Sequence, residues 1–178
     1  PMVQIDFLTE LFTESHKRGI NTCLDTSGVT FRPDDPEYLK KVDKLLEVTD
    51  LVMLDIKHIN PEEHMKLCKQ PNENILAFAR YLNDKGIKIW IRHVVVPTIT
   101  DKEKYLYELG LFIGQLKMVK ALDMLPYHDM AKKKYKELGM DYVLKDIPPA
   151  TKEQALAARN IVLKGFKESR LKLLEENK

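Results

Sequence analysis

Apolar positions recur along this chain in two rhythms. In residues 5–18, IDFLTELFTESHKR, Phe7, Leu8, Leu11 and Phe12 fall at helical spacing on one face, and Gly19 stops the pattern. A short apolar strand over 20–25 follows. The stretch PDDPEYLKKVDKLLE then opens on Asp35 as N-cap with Pro36 at the first helical position, and Leu39, Val42, Leu45 and Leu46 form its apolar stripe. The next strand is 51–56, followed by a short helix from Pro61 and a longer one near 73–84 that Gly86 ends. IKIWIRHVVV, 87–96, reads as a strand stopped by Pro97. A helix runs from Asp101 to about 116, and a strand over 120–125 leads to Pro126.

Beyond LPYHDM the rhythm loosens through a lysine-rich segment and DIPPA, where Pro148 and Pro149 punctuate a linker. Thr151, with Glu153 and Gln154 nearby, caps a long amphipathic helix towards 176. Strand and helix therefore alternate four times, with no repeats and no low-complexity tracts, which defines an α/β chain of βα units. The strands at 51–56 and 91–96 are apolar on both faces, the pattern of strands buried in a parallel sheet.

At 178 residues the chain can bury one substantial core, and a single domain over 1–178 is the natural expectation. Lys and Arg number 29 against 27 Asp and Glu, and this near balance argues against a polyanionic partner such as nucleic acid. Only Lys132, Lys133 and Lys134 are locally basic, and they read as a solvated surface. No apolar run approaches the roughly 20 residues of a membrane span. The two cysteines, Cys23 and Cys68, form no CxxC and are too few to hold a metal or cluster by themselves. Cys23 is expected to be buried in its strand, and a reducing, cytoplasmic setting fits. The chain begins at Pro1 with no leader pattern or initiating methionine, as expected of a processed chain or a piece of a longer one.

The chemistry gathers where strands end. NTCLDTSGV breaks from an apolar run into Asp25, Thr26, Ser27 and Gly28, and LVMLDIKHIN and ALDMLPYHDM do much the same. In α/β folds the carboxyl ends of the strands carry binding and catalysis. Alternation puts Met53, Asp55 and Lys57 on one face, Cys23 and Asp25 on one face, and Leu122, Met124, Pro126 and His128 on one face if the extended path continues past the proline. Two carboxylates, a lysine and a histidine would then converge on one mouth. Each also has a plain reading: a rim salt bridge between Asp55 and Lys57, a loop histidine at 128, and a turn of Asx and hydroxyl bonds at 25–28.

CLDTSG, LLEVTDLVMLDIK, WIRHVVVP and MLPYHDMAKKKYKELG together resemble the radical S-adenosylmethionine (SAM) activating enzymes of glycyl radical enzymes, in that family's order and spacing over nearly the whole chain. The resemblance implies an incomplete (βα) barrel: about four parallel strands of a six-stranded partial barrel, with helices outside. In that family a CxxxCxxC loop holds a 4Fe–4S cluster and a Gly-Gly-Glu-Pro segment receives the SAM amino group. Neither stands in this sequence; Pro1 would match the last proline, so the chain is expected to be the C-terminal portion, lacking two βα units and inactive alone.

The resemblance further implies roles. Lys57 would sit by the SAM carboxylate, with Asp55 and Ile56 beside it, His128 on the adenosyl part and Arg92 in the same pocket. Asp25, Thr26, Asp55 and the Met53 carbonyl match positions that bind a monovalent cation. Thr98 departs from the family, which often has glycine after VVVP. The implied reaction cleaves SAM reductively to a 5′-deoxyadenosyl radical that generates a glycyl radical on pyruvate formate-lyase, with a flavodoxin or ferredoxin-type reductant. Three alternatives stand beside it: an activator of another glycyl radical enzyme, a barrel aldolase or lyase with Lys57 as Schiff base, and a non-enzymatic SAM- or peptide-binding module.

Overall fold

The computed structural model describes residues 1–176, and its elements alternate as the hydrophobic pattern requires. A 3-10 turn at Met2–Gln4 leads into α1 (Ile5–Lys17), then β1 (Cys23–Thr26), α2 (Pro36–Glu47), β2 (Leu51–Asp55), α3 (Pro61–Cys68), α4 (Glu73–Asp84), β3 (Ile89–Val95), α5 (Glu103–Gly114), β4 (Val119–Pro126), α6 (Ala131–Glu137) and α7 (Lys152–Glu176). The four strands form one open sheet in the order β1-β2-β3-β4. β1 pairs parallel to β2, and β2 to β3. Ile89 N donates to Met118 O and Tyr127 N to Val95 O, so the β3–β4 pairing advances in the same direction along both strands.

Local signals act where the sequence places them. Asp35 accepts from Tyr38 N at 3.0 Å with Pro36 behind it, and Asn60 caps α3 through Glu63 N at 3.0 Å. Thr151 and Gln154 exchange side-chain and backbone bonds across the start of α7, a capping box. Gly19 and Gly86 take the left-handed φ that ends their helices.

The chain packs as two compact units, Pro1–Arg92 with Leu116–Asp123, and His93–Gln115 with Met124 onward. In the first, Leu24, Val52, Leu54, Ile89 and Ile91 form the buried face of the sheet, and Val42, Leu45 and Leu46 from α2 and Ile75, Phe78 and Leu82 from α4 are buried with them. Phe31 packs against Phe78 with tilted rings, centroids 5.0 Å apart. Each fully buried side chain of this size contributes roughly 1.5–3 kcal/mol.

The expectation of strands buried on both faces is corrected here. Leu51, Met53 and Asp55 stay partly exposed, Trp90 is 38% exposed, and Cys23 is exposed because β1 is the edge strand and alternation turns residue 23 away from the helices. The single apolar face drawn for 5–18 also divides: Ile5 and Phe12 are buried, whereas Phe7 is 63% and Leu11 48% exposed. Loose as the pattern after LPYHDM is, it contains a further short helix, α6, in which no residue is buried.

In the second unit α5 lies against α7 at glycine contact distance. A Cβ on Gly110 would come within 2.1 Å of Val162 O, and one on Gly165 within 2.4 Å of Tyr107 O. Tyr107 donates to Glu168 beside this crossing. Alanine is intrinsically the better helix former by about 1 kcal/mol, so propensity and packing oppose each other at Gly110. The clash is with backbone, which cannot step aside. Gly110→Ala is expected to lower unfolding free energy by about 2–3 kcal/mol in denaturant titration; a stabilised variant would show that this crossing is loose.

The strand β3 ends in a turn in which Ile99 N donates to Val96 O, Pro97 takes the second position and Thr98 the third at φ +66°. That is the type II arrangement, which ordinarily places glycine where Thr98 stands. Thr100 holds the strained turn: its hydroxyl accepts from Val96 N and donates to Val94 O, both at 2.7 Å. The family's frequent glycine thus fits the same loop shape. Thr98→Gly is expected to raise stability by about 1 kcal/mol, because a β-branched residue is more strained at positive φ than glycine is costly; a fall in melting temperature would contradict this.

Candidate functional site

Parallel pairing sets Asp25 opposite Met53, Met53 opposite Trp90, and Asp55 opposite Arg92. Because alternation turns all of them to the accessible face, charged groups from three strands meet there. Arg92 bridges two carboxylates: its Nε donates to Asp55 Oδ1 at 2.9 Å and its Nη2 to Asp25 Oδ1 at 2.5 Å. Lys57 Nζ donates to the other oxygen of Asp55 at 2.8 Å. The result is a continuous row, Asp25–Arg92–Asp55–Lys57, of alternating sign. Side-chain exposure of 18% at Asp55 and 22% at Arg92 shields its centre, while Asp25 at 52% is open.

Partial burial works against the Arg92 charge, but the bonds to Asp55 and Asp25 outweigh it and hold the guanidinium above its ordinary pKa. Burial comes first in pushing the Cys23 thiol up, and Asp25 adds to it. Burial likewise raises Cys68, with Lys57 pulling the other way. Both thiols are therefore poor thiolates at neutral pH.

Among the residues expected at the site, Asp25, Asp55, Lys57 and Arg92 are brought together. Ile56 is buried and donates its N–H to Arg92 O at 3.0 Å, extending the ladder one residue beyond β2 and so directing Lys57. Thr26 points to the opposite face, where it is buried and its hydroxyl accepts from Gly28 N at 3.1 Å. His128 lies in the second unit, exposed, directly after the buried Tyr127. Among the described residues no group of three or more His, Cys, Asp or Glu is assembled to hold a metal ion. The bridge from Arg92 to both carboxylates was not anticipated; it depends on inter-strand register, which no local pattern in the sequence carries.

The fold and the charged strand ends define a parallel α/β protein with its candidate site on the accessible sheet face. A family model described as the radical SAM superfamily matches residues 1–110, and the chain belongs to that superfamily. It is similar to the pyruvate formate-lyase-activating enzyme of Listeria monocytogenes, 48% identical over 163 residues, and to that of Streptococcus mutans, 46% identical over 160 residues. These alignments take in 92% and 90% of this chain but 65% and 60% of the relatives, so the chain spans less than two thirds of their length. A domain of a pyruvate-formate lyase-activating enzyme from Bacteroides vulgatus shares the fold, with a TM-score of 0.74, 20% identity and coverage of 93% of this chain and 89% of that one.

Replacing Arg92 by Met would keep bulk while leaving Asp25 and Asp55 without their common cation. Hydrogen bonds to charged groups contribute about 1.5–3 kcal/mol when buried, and partial exposure here discounts that. Arg92→Met is expected to cost about 1–2 kcal/mol at neutral pH by thermal or denaturant unfolding. A cost near zero would mean that the row is ornamental to the fold.

Proposed function

We propose that this chain is the SAM-binding C-terminal part of a radical SAM activating enzyme that acts on pyruvate formate-lyase. The observation that carries the reading is the row Asp25–Arg92–Asp55–Lys57. Two anions and two cations alternating along an accessible strand-end face suit a zwitterionic ligand, and the methionyl end of SAM presents an ammonium and a carboxylate side by side. Lys57 faces the carboxylate, Asp55 accepts from ammonium or hydroxyl groups, the Ile56 backbone fixes the pair, and Arg92 completes the row. When bound, SAM supplies on reductive cleavage a 5′-deoxyadenosyl radical able to take a hydrogen atom from a glycine of the partner.

The residues present do not fit a 4Fe–4S cluster. The chain has two cysteines, on β1 and at the end of α3, whereas such a cluster takes three or four thiolates. Cluster, reductant of flavodoxin or ferredoxin type, and cytoplasmic location belong to the proposed parent enzyme, as does the reading of 1–178 as one domain of a partial barrel. A monovalent cation held by Asp25, Asp55 and the Met53 carbonyl is part of the same proposal; Thr26, buried on the opposite face with its hydroxyl accepting from Gly28 N, falls outside it. Its support is that Asp25, Met53 and Asp55 lie on one face of the sheet in paired register, where the positive charge of Arg92 already joins the two carboxylates.

Lys57 paired to Asp55 is an ammonium serving electrostatics, which does not favour a Schiff-base role. Lys57→Ala is expected to weaken SAM binding about tenfold by calorimetry, some 1.4 kcal/mol, and to leave the melting temperature within a degree or two because Lys57 adds little to the core. Unchanged SAM affinity, or a melting loss of the size a core truncation gives, would make Lys57 structural and defeat the site assignment.

A further inference from the structure

Residues 129–147, in the second unit, follow directly on the carboxyl end of β4 and present a surface that the site above does not use. Met130 and Val143 are each 73% exposed, Leu138 61% and Met140 56%. Large apolar side chains exposed this far, this close in sequence, depart from a soluble surface where such residues occur singly. The basic residues concentrate in the same place. Residues 131–140 carry four lysines against one glutamate, a local charge of +3, although 129–147 as a whole carries five lysines against four carboxylates, a net +1.

The segment is nonetheless ordered. α6 is seven residues long and buries none of them, and a helix so short is not stable on its own. Tyrosines hold it: Tyr127 and Tyr142 share a hydroxyl–hydroxyl bond of 2.9 Å, Tyr142 packs against Tyr135 with tilted rings and centroids 4.9 Å apart, and Ala150 N donates to Tyr127 O. Burial and the neighbouring Tyr127 push the Tyr142 hydroxyl up to about 12, so this clamp does not titrate at physiological pH. Gly139 at φ +64° closes the helix and carries the chain into Met140.

We propose that residues 129–147 are the docking surface for the protein substrate, meeting a partner segment that sets acidic residues against Lys133, Lys134 and Lys136 and an apolar side chain against Met140 and Val143. This rests on the reading that the chain serves a glycyl radical enzyme. The charge pattern favours a protein over a flat polyanion: Asp129, Glu137, Asp141 and Asp146 interrupt the lysines, and a lipid headgroup plane or nucleic-acid backbone would meet these carboxylates unmatched. Methionine at such a face adapts to an irregular partner surface.

The test measures binding of the whole chain to purified pyruvate formate-lyase by biolayer interferometry, beside SAM calorimetry and phosphatidylserine vesicle sedimentation. Lys133→Glu/Lys134→Glu/Lys136→Glu is expected to weaken lyase binding at least tenfold and to reduce its salt dependence. Met140→Gln/Val143→Gln is expected to weaken it severalfold at any salt. Both should keep the wild-type melting temperature and SAM affinity. Lyase binding by the two variants as tight as that of the unaltered chain, no lyase binding by the unaltered chain, or vesicle binding that the lysine variant abolishes would each overturn the proposal. Failure of the unaltered chain to bind SAM would instead sink the strand-end site and leave the lyase comparison standing.

Discussion

Alternation along parallel strands is the constraint on which the rest depends. Leu24, Val52, Leu54, Ile89 and Ile91 are turned to the buried side, so Cys23, Asp25, Met53, Asp55, Trp90 and Arg92 are turned the other way without choice. Burial then acts on one set and chemistry on the other. Because register sets Asp55 beside Arg92 and Asp25 one row away, the guanidinium reaches both carboxylates. A slip of one residue would put every one of these groups into the core.

The second unit obeys a different rule. Its helices α5 and α7 meet through Gly110, Gly114 and Gly165, where the absence of side chains lets backbones touch. Such a contact has little tolerance, since the atoms that would have to move are carbonyls and amides already committed to helical bonds. The first unit gains its order from large side chains interlocking, the second from small ones left out.

Much of this was legible in the sequence. Caps at Asp35 and Thr151, stops at Gly19 and Gly86 and the four βα alternations each have a local cause that residues within four positions supply. What could not be read was anything that depends on which face another element covers. Cys23 and Met53 look as apolar as Leu24 and Val52, and only the edge position of β1 and the open side of the sheet separate them. The exposed flank of α1 escaped for the same reason. α6 escaped because it buries nothing and so writes no apolar period. At the site, strand-end polarity pointed to Asp25, Asp55 and Lys57, whereas the role of Arg92 as the common partner lies in register. Thr26, next in sequence to Asp25, was grouped with it, and the pleat put the two on opposite sides.

The row Asp25–Arg92–Asp55–Lys57 sums to zero, and its signs alternate over a few ångströms. Seen from farther away than the Debye length of about 8 Å at physiological ionic strength, its positive and negative potentials cancel. Such a face exerts almost no long-range pull on an approaching ion of either sign, and its encounter rates should be nearly indifferent to salt. Discrimination is left entirely to contact distance, where a ligand must match the order of the charges and not merely their amount. A site of this design stays quiet in a crowded solution of phosphates and metabolites, and responds only to a molecule that carries both signs at the right spacing.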